Sequence, residues 1–186
     1  DLALRAVVDE GDEVLIPDPS YVSYRPCVEL AGGKPVAVPC CGDSGFKLTA
    51  KALENVITDK TKVLIFPYPN NPTGAVMDKA DWESVAEVLR DTNIMIISDE
   101  MYAELTYGKQ HVSPASVSDL YERTVTVGGF SKAFAMTGWR MGYTAAPQPI
   151  TKQMLKLHQF AIMSSPTTSQ FAAIEALKNG DSDIEY

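Results

Sequence analysis

The sequence predicts a three-layer α/β/α domain built on a mostly parallel sheet of about seven strands. Short, continuously apolar runs of strand length recur along the chain, and capped or amphipathic helical stretches separate them. Strands that are apolar on both faces are buried on both faces, and alternation with helices favours parallel crossover connections. Of the 186 residues, 45% are hydrophobic and 22% charged, so one globular domain with a sizeable core is expected.

The predicted strands are short apolar runs without the helical period. The runs KVLIF at 62–66 and IMIIS at 94–98 are the clearest, because they are apolar nearly throughout and are flanked by turn residues. In chain order, strands are predicted at residues 13–17, 35–39, 62–66, 94–98, 124–127 and 140–145.

The predicted helices are located by their capping residues and apolar faces. Thr49 is a suitable N-cap for a helix over 50–57, and the stretch 21–31 is amphipathic. A further helix opens at Asp78. Its apolar face consists of Trp82, Val85, Ala86 and Leu89.

The two ends of the chain suggest a piece of a longer protein. Residues 2–8 before Gly11 indicate the body and C-cap of a helix that starts upstream, and Asp1 is not an initiator methionine. Two helices close the chain, the second capped by Ser165 with Pro166 in its first turn. We therefore expect further sequence on both sides.

The charge balance argues against several classes of partner. Twenty-four acidic and sixteen basic residues give a formal charge of −8, which disfavours nucleic acid or an anionic membrane surface as a partner. An anionic ligand would need a local positive site. No apolar run is long enough to span a bilayer and no signal peptide is visible, so we expect a cytoplasmic protein.

The three cysteines point to reduced thiols. Cys27, Cys40 and Cys41 are odd in number and two are adjacent, a pattern that suits neither a disulfide framework nor a zinc site. We expect them to act as small buried hydrophobic residues, and we predict no metal site.

Four predicted strands are followed by groups able to bind a ligand. In open α/β sheets, ligands bind beyond the carboxyl ends of the strands. A stacking aromatic, an amide, a carboxylate with a phenol, and an amine therefore converge at one edge, which fits a planar, phosphorylated, carbonyl-bearing cofactor. In chain order these groups are Tyr21, Asn71, Asp99 with Tyr102, and Ser131 with Lys132.

Lys132 lies between an apolar strand and a glycine-rich turn. Partial desolvation in such a place lowers the pKa of a lysine and makes its neutral amine a nucleophile toward carbonyls, as in Schiff-base chemistry. The alternative is an ordinary solvated loop lysine, which is the commoner situation for this residue type.

Four motifs give the chain a resemblance to a known family. PDPSY at 17–21, NNPTG at 70–74, SDEMY at 98–102 and GFSKAFAMTGWRMG at 129–142 occur in the order and at about the spacing of the class I/II aminotransferases. Over essentially its whole length the chain resembles the large domain of these fold-type-I enzymes, with the aspartate and aromatic aminotransferases as the most similar branch. The resemblance implies pyridoxal 5′-phosphate as cofactor and residues 1–186 as a partial cofactor-binding domain.

The resemblance also implies roles for the residues that match the motifs. Lys132 corresponds to the Schiff-base lysine, and Asp99 to the carboxylate that pairs with the protonated pyridine nitrogen. Tyr102 corresponds to the phenol that donates to the cofactor's phenolic oxygen. Glu100, next to Asp99, is expected to point elsewhere.

Two further matches concern the ring of the cofactor. Asn71 corresponds to the amide that contacts the same phenolic oxygen, and Asn70 is a weaker candidate. Tyr21 corresponds to the aromatic that stacks on the pyridine face, with Tyr24 as the alternative. The resemblance implies cis peptide bonds before Pro19 and before Pro72.

The phosphate site is only partly present in the motifs. Arg140 corresponds to an arginine that clamps the phosphate, and Ser131 offers a hydroxyl to the same group. Gly129 stands where some relatives carry a serine, so one phosphate hydrogen bond is expected to be missing. The phosphate loop at a helix N-terminus is expected upstream of Asp1.

By resemblance, the parent protein catalyses transamination between an L-amino acid and a 2-oxo acid, with Lys132 as the acid and base, and acts as a homodimer. A sister enzyme such as a carbon–sulfur lyase or a synthase, and the effector domain of an aminotransferase-like transcription regulator, remain as alternatives. The substrate-carboxylate arginine of the family belongs to the C-terminal small domain, which is not in this chain. The piece alone is therefore expected to be inactive.

Overall fold

A computed structural model describes residues 1–117 and 120–184 of the chain. Within these residues, strands and helices alternate along most of the sequence. The strands are β1 (Glu13–Asp18), β2 (Lys34–Pro39), β3 (Thr61–Phe66), β4 (Met95–Asp99), β5 (Thr124–Gly129) and β6 (Gly142–Ala145). The helices are α1 (Leu2–Val7), α2 (Tyr24–Leu30), α3 (Ala50–Glu54), α4 (Lys79–Leu89), α5 (Gln148–Ala161), α6 (Thr167–Asn179) and α7 (Asp181–Ile184).

The strands form one sheet in the order β2-β1-β3-β4-β5-β6. Strands β1 to β5 are parallel to one another, and β6 runs antiparallel to β5, with Gly129 opposite Gly142. The predicted mostly parallel α/β sheet is confirmed, with six strands in the described residues against about seven predicted. Because β6 reverses direction, it begins at the edge where β1, β3, β4 and β5 end.

The sheet has a separate hydrophobic core on each face, which gives the three predicted layers. Alternate residues of a strand point to opposite faces. Leu64 and Phe66 of β3 therefore pack with α3 and α4, whereas Val63 and Ile65 pack with α1, α2 and α5. Helices thus cover both faces of the strands that carry the site.

Two of the predicted helix starts are confirmed by their caps. The Thr49 hydroxyl accepts a hydrogen bond from the backbone N–H of Ala52 at 3.2 Å. Asp78 and Asp81 form a reciprocal capping box at the start of α4. The predicted apolar face of α4 is fully buried, and its members are Trp82, Val85, Ala86 and Leu89.

Four predictions about the helices were wrong. The helix predicted over 50–57 ends at residue 54, and a third helix, α7, follows the two that were predicted to close the chain. The C-cap of α1 is Val8 in an extended conformation, and Gly11, at φ +92°, instead provides the turn into β1. The N-cap of α6 is Pro166, since a residue before proline avoids helical angles, and Ser165 stays outside the helix. Its carbonyl accepts a hydrogen bond from the Gln170 side chain at 2.9 Å.

The cysteines are free thiols, but they do not share one environment. Cys40 is buried, Cys27 is partly buried and Cys41 is exposed, so only Cys40 is the buried residue that was predicted for all three. Burial, as the largest effect, raises the pKa of the Cys40 thiol. No helix within 1–117 or 120–184 has the length and apolar character needed to cross a bilayer.

Candidate active site

A cleft of about 350 Å³ lies at the carboxyl edge of the sheet. Its walls come from the segments that follow β1, β3 and β4 and from the connection between β5 and β6. All seven residues predicted to bind the cofactor line this cleft. They are Tyr21, Asn71, Asp99, Tyr102, Ser131, Lys132 and Arg140.

Asp99 is the last residue of β4, and two donors hold its carboxylate. The Tyr24 phenol donates to Oδ2 at 2.8 Å, and the backbone N–H of Met101 donates to Oδ1 at 3.1 Å. A carboxylate oxygen can accept more than one hydrogen bond, so both oxygens retain acceptor capacity. Asp99 is therefore a fixed acceptor in the cleft wall.

Tyr24 and Tyr21 occupy different positions around this carboxylate. Tyr24 is largely buried, and burial, followed by the charge of Asp99 and its hydrogen bond, raises the pKa of the phenol far above its ordinary value. It is thus a permanent donor at physiological pH. Tyr21 is 47% exposed and lies edge-on to Tyr24, with ring centroids 5.8 Å apart. The structure separates the two alternatives: Tyr24 binds the carboxylate, and Tyr21 remains open to the cleft.

Lys132 follows β5 and lies above Tyr102. The Lys132 Nζ atom is 5.8 Å from the centroid of the Tyr102 ring, within the range of a cation–π contact. Lys132 is exposed rather than partly buried, so the desolvation that its apolar neighbours in the sequence indicated is not observed. Among the described residues, its amine has no carboxylate partner within ion-pair distance.

Arg140 reaches the same cleft from the short connection between β5 and β6. It has φ +53° and ψ +47°, in the left-handed region, and its Nη1 donates to the carbonyl of Thr137 at 2.9 Å. The Thr137 hydroxyl in turn donates to the carbonyl of Ser131 at 3.1 Å. Lys132 and Arg140 thus provide the local positive charge that an anionic ligand needs in this acidic chain.

The two asparagines of the NNPTG motif have different environments. Asn70 is buried: its amide donates to the carbonyl of Pro19 at 3.3 Å, and its oxygen accepts from the hydroxyl of Thr73 at 2.9 Å. Asn70 therefore holds the turn, whereas Asn71 faces the cleft. The peptide bonds before Pro19 and before Pro72 are cis, as the resemblance implied, and so is the bond before Pro69.

Glu100 points away from the cleft, as expected, into a contact that the sequence did not indicate. Its carboxylate accepts a hydrogen bond from the Ser113 hydroxyl at 2.6 Å and lies 2.8 Å from His111 Nε2. Burial raises the pKa of Glu100, but the hydrogen bonds from His111 and Ser113 outweigh it, and the net pKa lies below the ordinary value.

A larger cavity of about 660 Å³ adjoins the cleft between α1, α5 and the sheet. Its walls are largely apolar, and they share Tyr21, Tyr24, Asp99 and Met101 with the cleft. Neither Lys132 nor Arg140 lines it. The smaller cleft, which collects the charged groups, is therefore the candidate site.

Comparison with known proteins gives a consistent result. The family model described as Aminotransferase class I and II matches residues 1–186. The chain is 49% identical over 185 residues to the putative aminotransferase YugH of Bacillus subtilis, covering 100% of this chain and 48% of that protein. It is 45% identical over 179 residues to an aspartate aminotransferase of Pyrococcus abyssi, covering 96% of this chain and 46% of that protein.

A solved structure shows the same fold. The aromatic aminotransferase from Pyrococcus horikoshii superposes with a TM-score of 0.96 at 45% identity, over 99% of this chain and 50% of that one. The chain spans about half the length of the curated relatives it matches.

Proposed function

The chain belongs to the class I and II aminotransferases, and from this we propose that its parent protein transfers an amino group between an L-amino acid and a 2-oxo acid. Members of this family are pyridoxal-phosphate-dependent enzymes. One observation carries the proposal: the seven residues predicted for the cofactor come from distant parts of the sequence and line a single cleft.

The chemistry of the cleft fits pyridoxal phosphate. The cleft holds one kind of group for each part of this cofactor. An amine matches the aldehyde, a fixed carboxylate matches the pyridine nitrogen, a guanidinium with a hydroxyl matches the phosphate, and two phenols match the ring. The cleft volume of about 350 Å³ lies within the usual range for small-molecule sites.

We assign the chain's own residues to these groups as follows. Lys132 Nζ would hold the aldehyde carbon covalently, with the aldehyde oxygen leaving as water. Asp99 would accept the pyridine N–H while Tyr24 holds the carboxylate. Tyr102 and Asn71 donate to the phenolic oxygen, and Tyr21 covers one ring face. The hydroxyl of Ser131 and the guanidinium of Arg140 bind the phosphate.

The cofactor's contribution when bound is to withdraw electrons from the α-carbon of the substrate. Asp99, as the acceptor for the pyridine N–H, would keep that nitrogen protonated, which strengthens this withdrawal. Lys132 Nζ would serve as the base and acid that moves a proton between the α-carbon of the substrate and the neighbouring carbon. The exposure of Lys132 leaves its amine room for this movement.

We further propose that residues 1–186 are the partial large domain of a cytoplasmic homodimer. The N-terminal arm, the upstream phosphate loop and the C-terminal small domain would lie outside the chain, so we expect the isolated piece to be inactive. Relatives are named for aspartate, for aromatic amino acids and for N-acetyl-LL-diaminopimelate. The proposal therefore includes an amino-acid substrate without naming which one.

The test is covalent capture of the cofactor in the full-length protein. Wild type, Lys132→Ala and a control, Lys51→Ala at an exposed lysine of α3, are incubated with pyridoxal phosphate and reduced with borohydride. We expect a stable label on the peptide that contains Lys132 in wild type and in the control, and no label there in Lys132→Ala. A wild-type protein without a label, or a label on another lysine, would contradict the assignment.

A labelled wild type is then tested for transamination. Amino acids are supplied together with a 2-oxo acid, and formation of the new amino acid is measured. Release of an oxo acid and sulfide or another fragment, without a new amino acid, would indicate a sister enzyme instead.

A further inference from the structure

We propose that Glu100 is a positioning residue that fixes the phenol of Tyr102 over Lys132 through a clasp with His111 and Ser113. This inference rests on the proposed function, because Tyr102 matters only if the cleft binds pyridoxal phosphate. It concerns a residue that points away from the cleft and does not line it.

The backbone around Tyr102 forms hydrogen bonds on both sides of Glu100. The N–H of Glu100 donates to the carbonyl of Val127 in β5 at 2.8 Å, and the carbonyl of Glu100 accepts from the N–H of Ala103 at 3.0 Å. Tyr102 therefore lies in a tight turn that starts at Glu100. The orientation of this turn decides where the phenol points.

The side chain of Glu100 closes the loop that follows. One carboxylate oxygen lies 2.8 Å from His111 Nε2, and the other accepts from Ser113 Oγ at 2.6 Å. The side chains are 9% exposed for Glu100 and 16% for His111. The clasp thus joins Glu100, at the start of the loop, to His111 and Ser113 at its end.

The clasp is anchored at its far side, at residues 111–113. The carbonyl of Val112, between His111 and Ser113, accepts a hydrogen bond from the indole N–H of Trp82 at 2.9 Å. Trp82 is on the buried face of α4 and is 1% exposed. Residues 107–110, in contrast, are exposed and give the loop little support. Glu100 therefore connects the turn of Tyr102 to the rigid core.

The choice of residue type supports a geometric role. Buried polar groups must keep their hydrogen-bond partners, so a buried carboxylate with two such partners accepts few geometries. A carboxylate with both oxygens bound to separate partners fixes its own position and that of the turn that carries it. Directly beside it, the N–H of Met101 donates to Asp99. The turn that carries Tyr102 thus also helps to hold the carboxylate of Asp99.

The test is a double-mutant cycle in the full-length protein loaded with pyridoxal phosphate. The readout is the pH midpoint of the absorption change of the lysine-linked cofactor. Tyr102→Phe removes one hydrogen bond to the phenolic oxygen, and we expect the midpoint to rise by about one pH unit. Glu100→Ala is expected to raise it by at least half as much, and His111→Ala, which opens the clasp from the other side, should do the same.

The decisive comparison is Glu100→Ala in the Tyr102→Phe background. We expect no further rise, because Glu100 acts on the midpoint through the Tyr102 hydroxyl. Glu104→Ala, an exposed glutamate of the same loop, is the control and should leave the midpoint unchanged.

Two outcomes would overturn the inference. In one, Glu100→Ala and His111→Ala lower the thermal midpoint but leave the spectroscopic midpoint in place, which is the behaviour of a purely structural clasp. In the other, Glu100→Ala has equal effects in both backgrounds. A wild-type protein with no lysine-linked cofactor would instead refute the proposed function, and the inference with it.

Discussion

The phenol of Tyr24 donates a 2.8 Å hydrogen bond to the carboxylate of Asp99. The bond joins the helix after β1 to the end of β4, across the intervening β3. Because burial and the charge of Asp99 keep the phenol protonated, the donor is present at every physiological pH. Asp99 is thus oriented before any ligand arrives, and this preorganisation lowers the cost of binding.

Loss of this hydrogen bond should weaken cofactor binding. For Tyr24→Phe we expect roughly a tenfold loss of pyridoxal phosphate affinity, because a hydrogen bond to a charged group contributes about 1.5–3 kcal/mol. The measurement is titration of the full-length apoprotein by absorbance. Tyr21→Phe is the matched control: it keeps the aromatic face, and its affinity should change by less than about twofold. Equal losses in the two variants would show that the phenol of Tyr24 has no special role.

Arg140 combines a proposed role in cofactor binding with a left-handed backbone conformation, so its substitutions should affect cofactor affinity and protein stability differently. Arg140→Ala and Arg140→Gly both remove the guanidinium and should weaken cofactor affinity by about tenfold or more. In the apoprotein, however, the glycine variant should be more stable than the alanine variant by about 1 kcal/mol, since only glycine adopts φ +53° without a steric cost. Urea denaturation measures the difference.

The control for Arg140 is an exposed helical site. At Lys152 in α5, the order should reverse, with the glycine variant less stable than the alanine variant by about 1 kcal/mol. The same order at both sites would contradict the left-handed assignment of Arg140.

Gly129 has little room for a side chain. A Cβ at Gly129 would lie 2.9 Å from Met101 Cε and 3.3 Å from the Gly142 Cα, so the β5–β6 pair would have to separate slightly. We expect Gly129→Ser to lower the free energy of unfolding by about 1–3 kcal/mol. Gly138→Ser, where no atom lies within 4 Å of the new Cβ, should cost less than about 0.5 kcal/mol. Denaturation curves that do not distinguish the two would show that the strands accommodate the side chain.

The Glu100 clasp should make stability depend on pH in the acid range. Its folded-state pKa lies below the ordinary value of 4.5, so the carboxylate stabilises the fold above that pH, and this contribution is lost as pH falls through the folded pKa. The difference in unfolding free energy between wild type and Glu100→Gln should therefore be largest above pH 4.5 and shrink below it. Glu104→Gln controls for the substitution itself. A difference that grows on acidification would show that the ionised carboxylate of Glu100 does not stabilise the fold.

The positions of the ligand-binding groups were predictable because they depend on strand ends. Continuous apolar runs located β3 and β4 to within a residue at each end, and parallel pairing then requires Asn71 and Asp99 to meet at one edge. The roles assigned to these residues remain proposals.

Side-chain directions were not predictable in the same way. Tyr24 lies three residues after Tyr21, and nothing in the spacing indicates which of the two binds a carboxylate from β4. His111 and Glu100 are separated by a loop without a regular period, so their contact depends on the loop's path. The apolar neighbours of Lys132 in the sequence pack elsewhere, since Phe130 is buried while Lys132 is exposed.

The connection from β5 to β6 also bears on the order in which the site assembles. Its internal hydrogen bonds link residues three and six positions apart, whereas the bond from Tyr24 to Asp99 spans 75 positions. Short loops close at small entropic cost and long ones require the intervening strands first. The cationic half of the cleft can therefore form early and locally, and the carboxylate half is completed only when β1, β3 and β4 have paired.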